Sequence, residues 1–375
     1  MSEFGLQSLP SVFYLAGVFI ALFSSLLIIG KRKKIKADYV LAAWFLMIGI
    51  HLILFILFFS GSYVAFPYFL GFEVIFPFIH GPMLYLYVLC VTGRNPGLKI
   101  GLLHCIPVLL ICLMLSQLFL MSPWDRLSVY QGGNNRFKLV SKVIKYLMIL
   151  SGIIYVGLSL FSVRRYTKGI SSQYSNTEKM NMSWLYYLIA GIALIWVAVI
   201  IRNDILIFSL VVLFIVVAAY FGISRVGILN LPVITELKDE QVFDNEIVKY
   251  QKNSPGDKAI QSIYERLVYK MEHEKLYKDP ELNLNTIAQL LNVHPNVLSQ
   301  VINSVEHKNF YDYINRQRIE DFKRTVVLPE NQKYTILSLA LECGFNSKTS
   351  FNRNFKKYMD CSPTEFLKSQ SIHME

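Results

Sequence analysis

Lys348, Thr349, Asn352, Arg353, Lys356 and Lys357 fall within ten residues of one another, and no acidic residue stands between Gly344 and Tyr358. Such a cluster suits the edges and backbone of a nucleic acid. Arginine can pair with guanine through two hydrogen bonds, asparagine can do so with adenine, and lysines neutralise phosphate. An ordinary amphipathic helical pair would carry a similar charge pattern, so the elements around the cluster must decide. Upstream, Ile336, Leu339, Ala340 and Cys343 recur at helical spacing. Gly344 follows, the residue best suited to a left-handed turn. Ser347 is a good N-cap for the next helix. That helix places Phe351 and Phe355 on its inner face and the polar cluster outside. Two short helices around a glycine turn, the second basic outside, describe a helix-turn-helix.

The order of residues carries more than the charge. Ala340, Gly344-Phe345, Ser347, Ser350-Phe351, Arg353, Phe355-Lys356 and Ser362-Pro363 together resemble the AraC family of bacterial transcription regulators. The resemblance spans about Leu276 to Ser369. It implies double-stranded DNA as partner and a second, weaker helix-turn-helix upstream, at about 283–303 beside the one at about 336–358. Ala288 precedes Asn292 by four residues, as Ala340 precedes Gly344, and asparagine is the next best residue for a left-handed turn. Leu298 and Ile302 stand where Phe351 and Phe355 stand. Asn283 is the expected cap, Leu284, Ile287, Ala288 and Leu291 the inner face, and Pro295–Asn303 the recognition helix. Matching to the family pattern points Asn296, Ser299 and Gln300 toward the groove. A connecting helix, Phe310–Val326, should hold the two units about 34 Å apart, one turn of DNA. Arg353 is the residue expected on guanine, whereas Lys356 and Lys357 are expected on phosphate. Ser362-Pro363-Thr364-Glu365 reads as a capping box opening a last short helix. Three departures from the family pattern, Asn292, Cys361 and Leu367, bear on local helix ends.

The rest of the chain is of another kind. Hydrophobic residues make up 54% of the 375 residues, and mean hydropathy is +0.41. That exceeds an average soluble protein and asks for membrane spans. The net charge of +11 does not mark the DNA-binding part. From Gly222 onward 20 Lys/Arg balance 20 Asp/Glu, so the excess lies in the membrane loops. Seven apolar runs are expected as spans: Val12–Gly30, Val40–Phe59, Phe69–Val91, Leu102–Leu120, Val143–Val163, Trp184–Ile201 and Ile205–Phe221. No cation precedes the first run, and Lys31-Arg32-Lys33-Lys34 follows it, as in a signal anchor with its N-terminus outside. Alternate loops then carry eleven Lys/Arg on the inner side and five on the outer. Seven spans leave the C-terminus in the cytoplasm, where DNA lies. The expectation is therefore an all-α chain. Residues 1–221 form a seven-helix sensor region in the bacterial inner membrane, 222–256 a linker, and 257–375 the DNA-binding domain. Asn253-Ser254-Pro255-Gly256 closes the linker, and a helix from about Asp257 to Tyr277 either packs on the DNA-binding domain or pairs with a second copy.

Within the membrane region Glu73 and His80 are candidate sensor residues, because intramembrane ionisable groups are costly unless partnered. His51, His80 and His104 can equally be satisfied locally, and His104-Cys105 has no further ligand at metal spacing. Pro77 and Pro82 should kink the third helix. The outer loop Ser122–Ser141, with Trp124 and Tyr130, suits either a ligand or the membrane interface. The five cysteines form no Cys-x-x-Cys pair, and free thiols are expected. No cofactor or metal is implied, and no enzyme: the part after Phe221 lacks a glycine-rich phosphate loop, and Tyr277 stands where a zinc-protease motif beginning at His273-Glu274 needs its second histidine. The reading is a membrane-tethered, sequence-specific transcription regulator, possible as a homodimer, that answers an unknown small-molecule or protein signal. The alternative is a seven-span receptor or transporter whose helix-turn-helix domain binds protein.

Overall fold

The computed structural model describes residues 4–94, 96–132, 137–177, 182–224 and 257–370. The described residues are helical, with a single isolated β-bridge between Tyr174 and Asn283. They form two compact units. One holds the described residues up to Arg164 and from Met182 to Ser224; the other holds residues 165–177 and 257–370. Most of the expected linker lies outside the described residues.

In the first unit, α1 (Phe4–Ile29), α2 (Lys36–Phe59), α8 (Lys138–Gln173), α9 (Ser183–Ile201) and α10 (Asp204–Ser224) are each long and apolar enough to cross a membrane. α8 continues into the second unit after Arg164. The third and fourth apolar runs differ from expectation. The third is bent by 47° between Pro67–Val74 and α3 (Pro77–Val91). The break falls just before Pro77, which sits in the first turn of α3, while Pro82 is accommodated inside that helix. Proline is well tolerated where its missing N–H has no helical partner, which is why the chain breaks there. The fourth run is divided into α4 (Leu98–Leu103), α5 (Ile106–Met114) and α6 (Ser116–Leu120), and α7 (Pro123–Tyr130) follows. Counting the bent pair as one gives up to six spans by length and composition among the described residues, not seven. Close packing at Gly17 against Val212 and Gly49 against Leu22 brings α1 against α10 and α2. Lys31 ties the ends together, pairing with Asp38 at 2.7 Å and donating to the Gly222 carbonyl at 2.8 Å.

The second unit has two cores strung on one helix. α11 (Asp257–His273) is shorter than expected, because Lys275 takes a left-handed φ of 49° before the turn Leu276–Lys278. Its buried Leu267 and Met271 join Ile287, Ala288, Leu291, Leu298 and Ile302 in the first core. Those residues come from α12 (Leu284–Leu290), its C-cap Leu291, and α13 (Pro295–Glu306). The second core gathers Leu339, Ala340 and Cys343 from or beside α15 (Ile336–Glu342), Phe351 and Phe355 from α16 (Lys348–Met359), and Leu367 from α17 (Pro363–Ser369). The connecting helix α14 (Phe310–Val326) has the expected limits. It gives Phe310, Tyr313 and Ile314 to the first core and Ile319, Phe322 and Val326 to the second.

The two turns use one hydrogen-bond scheme. Val293 N–H donates to the Ala288 carbonyl at 2.9 Å, and Phe345 N–H donates to that of Ala340 at 3.2 Å. Asn292 and Gly344 are the left-handed residues, with φ of 52° and 96°. At Gly344 space is also short: a Cβ would press on the Tyr277 carbonyl oxygen and lie 2.9 Å from Arg318 Nε. Gly344→Ala and Gly344→Asn should therefore cost similar stability, about 1–3 kcal/mol, whereas Asn292→Gly should change it by a few tenths. Protease-resistance melts of the detergent-solubilised full chain, read at α15–α16 for Gly344 and at α12–α13 for Asn292, give these values.

Candidate nucleic-acid interface

The helix starts that aim the polar cluster are capped by side chains. Ser347 Oγ accepts from Ser350 N–H at 3.0 Å and Asn283 Oδ1 from Thr286 N–H at 3.0 Å, both as the sequence suggests. At α13 the cap is His294, whose Nδ1 accepts from Asn296 N–H at 3.2 Å, with Pro295 at the first helical position. Ser362 and Glu365 form the expected capping box at 2.7 and 3.2 Å. These backbone bonds hold the Glu365 carboxyl below the usual carboxylate range. Each such cap satisfies N–H groups that would otherwise lack a partner and fixes where its helix begins.

With α16 anchored by Phe351, Asn354 and Phe355, the residues Lys348, Thr349, Asn352, Arg353, Lys356 and Lys357 all lie exposed. On α13, Leu298, Val301 and Ile302 are buried; Asn296 and Gln300 are exposed and Ser299 is half-buried. All nine sequence-selected residues thus lie on two helices of like design. Two of them are engaged with α14. Arg353 Nη2 donates to Tyr311 Oη at 2.8 Å, and Asn354 Nδ2 donates to the same oxygen at 2.7 Å. Lys357 pairs with Asp312 at 2.6 Å. Arg353 must therefore exchange a phenol oxygen for a base edge to reach guanine. Sequence reasoning missed Tyr311 and Asp312, whose partners are 42 to 45 residues away.

It also missed Arg318, which is 1% exposed. Its Nε donates to the Tyr277 carbonyl at 2.7 Å, and its Nη2 donates to that of Asp279 at 2.7 Å and to Ser175 Oγ at 3.1 Å. Burial lowers its pKa to about 10. A signal was present: Arg318 stands four residues after Ile314 and four before Phe322, on the buried stripe.

In the first unit, the candidate sensor residues are partnered. Glu73 accepts from Gly71 N–H at 2.9 Å and from the Tyr130 hydroxyl. It borders a small pocket with Leu54, Phe58, Tyr63, Phe66 and Leu70. His80 lies 2.9 Å from His51 through Nε2, while its Nδ1 accepts from Trp44 Nε1 at 3.3 Å. That assigns the His80 proton to Nε2, shared toward His51 Nδ1. His104 pairs with the Tyr155 hydroxyl at 3.0 Å. Trp124 stays 65% exposed on α7.

The family match with known proteins falls in the second unit. Residues 287–369 match the model of a helix-turn-helix domain, a span that begins within α12 and runs through α17. The chain is similar to the "Putative HTH-type transcriptional regulator YkgA" of Escherichia coli (strain K12), at 25% identity over 128 residues, 34% of this chain and 46% of the relative. It is similar also to the "Msm operon regulatory protein" of Streptococcus mutans serotype c, at 31% identity over 87 residues, 23% of this chain and 30% of the relative. The chain spans less than half the length of either relative. No solved structure matches it significantly. The C-terminal part of this chain carries a helix-turn-helix domain of the kind found in DNA-binding transcription regulators.

Proposed function

We propose that this protein is a membrane-tethered, sequence-specific transcription regulator whose two helix-turn-helix units, α12–α13 and α15–α16, read duplex DNA. The observation that carries the reading is the pair of capped helices, α13 and α16. Each is buried on one side in its own core; on the other, α13 presents amides and hydroxyls and α16 an amide, a hydroxyl and four cations. The regulators named among its relatives support DNA as the partner. Arg353 is assigned to a guanine edge, Lys348, Thr349 and Asn352 to bases or phosphates, and Lys356 and Lys357 to phosphate, with Asn296, Ser299 and Gln300 reading the adjoining turn.

The apolar helices support the tether. Long side chains such as Leu194, Leu213, Ile153 and Phe161 are 57–64% exposed, an arrangement that suits lipid as solvent. In this reading the bent pair around Pro77 and the divided run α4–α6 are both broken spans. That makes seven crossings, with the N-terminus outside and the DNA-binding part in the cytoplasm. A signal acting on the membrane region, with Glu73 and His80 as its candidate sensors, is coupled to gene expression.

Three measurements test this. Genome-wide crosslinking and pull-down of the intact protein should give discrete sites that an Asn352→Ala/Arg353→Ala double variant loses; no sites in the wild type would leave a protein-binding module instead. In binding titrations with duplex DNA over 50–200 mM salt, Lys356→Ala should lower the slope of log K against log salt by about 1. Lys357→Ala should lower it less, since that charge already meets Asp312. Finally, an impermeant thiol reagent on whole cells lacking the native cysteines should label Trp124→Cys and spare Lys33→Cys; the reverse pattern would invert the topology.

A further inference from the structure

Helix α8 runs unbroken to Gln173, and its residues from Arg165 onward belong to the second unit. Directly after its last turn the chain extends. Tyr174 bridges antiparallel to Asn283, the cap of α12. Ser175 is 0% exposed and Asn176 is buried. Ser175 spends every polar group on the DNA-binding part. Its N–H donates to the Leu282 carbonyl at 3.3 Å, and its hydroxyl donates to the same oxygen at 2.6 Å. That hydroxyl also accepts from Arg318 Nη2 at 3.1 Å. Its carbonyl accepts from Asn315 Nδ2 at 3.0 Å and Arg318 Nη1 at 3.4 Å. These partners lie 107 to 143 residues away in sequence. A serine fits because its hydroxyl both donates and accepts only two bonds from the backbone Cα.

We propose that Tyr174–Asn176 is a docking strap through which the membrane region controls the DNA-binding part. Seated, it clamps the lead-in of the first helix pair, Leu282 and Asn283, to the connecting helix at Asn315 and Arg318. Withdrawn, it takes one acceptor from each of Asn315 Nδ2, Arg318 Nη1 and Arg318 Nη2 and removes both Ser175 donors from the Leu282 carbonyl, which frees that lead-in. The seated strap leaves Asn296, Gln300, Lys348 and Asn352 exposed, so the seated form is the one competent to bind. The strap continues α8 without a linker, so displacement of that helix along its axis acts on Ser175 first. The proposal rests on the reading of this unit as DNA-binding.

The test uses the full chain in its native membranes with Ser175→Trp, too large for the buried site, Ser175→Ala, which keeps the backbone bonds, and the exposed Lys168→Ala as control. Crosslinked site occupancy should fall about tenfold or more with Ser175→Trp, a few-fold with Ser175→Ala, and not at all with Lys168→Ala. Hydrogen exchange of the detergent-solubilised chain should rise at Leu282–Leu290 and stay unchanged at α15–α16. Undiminished occupancy with Ser175→Trp overturns the strap. So does occupancy lost without faster exchange at Leu282–Leu290, or with faster exchange through both cores, which would make the segment a plain part of the fold. Absence of sites in the wild type overturns the DNA reading itself, a separate outcome.

Discussion

The buried guanidinium of Arg318 is the interaction on which the DNA-binding part depends. It stands on α14 at the point where the side chains change allegiance, with Ile314 in the first core and Ile319 in the second. Burying such a cation costs several kcal/mol unless its donors are met. Here carbonyls of Tyr277 and Asp279 meet them, together with Ser175. The segment they belong to leads into the first helix pair, so satisfying one charge fixes the position of that pair on the connecting helix. Gly344 belongs to the same knot, since its bare Cα lets the second turn approach Tyr277 and Arg318. One residue thereby ties together the lead-in of the first helix pair, the second turn and the helix between them.

The two helix pairs show how different side chains reach one geometry. The first uses aliphatic Leu298 and Ile302 and a histidine cap; the second uses Phe351 and Phe355 and a serine cap. Both close their turns on an alanine carbonyl, because a small residue lets the second helix cross close to the first. The polar faces then differ in purpose. α13 offers amides and a hydroxyl, and α16 adds four cations, so electrostatic attraction to phosphate is concentrated on the second pair.

The apolar half obeys a harsher rule. If it spans a membrane as proposed, every backbone polar group must find a partner within its own helix or a neighbour's, so irregular backbone is confined to packed places. The break before Pro77 adjoins Ile75 and Phe78, which are buried with Ile111 and Leu118. The paired imidazoles of His51 and His80 follow the same logic, each using the other as a partner.

The sequence by itself determined a great deal of the DNA-binding part. The limits of α14, the left-handed turns at Asn292 and Gly344, the caps at Asn283, Ser347 and Ser362 and the exposed faces are local properties. They follow from periodicity, cap chemistry and the allowed φ of a few residues within one or two turns. Only the tertiary structure decided what depends on distant neighbours. The hold of Tyr311 on Arg353 and the insertion of Ser175 beneath Arg318 each join residues far apart in the chain. A hydrophobic pattern records how much a residue should be buried, but not which partner buries it. For polar groups that partner is everything, since a buried donor is stable only beside an acceptor that some other part of the chain brings to it.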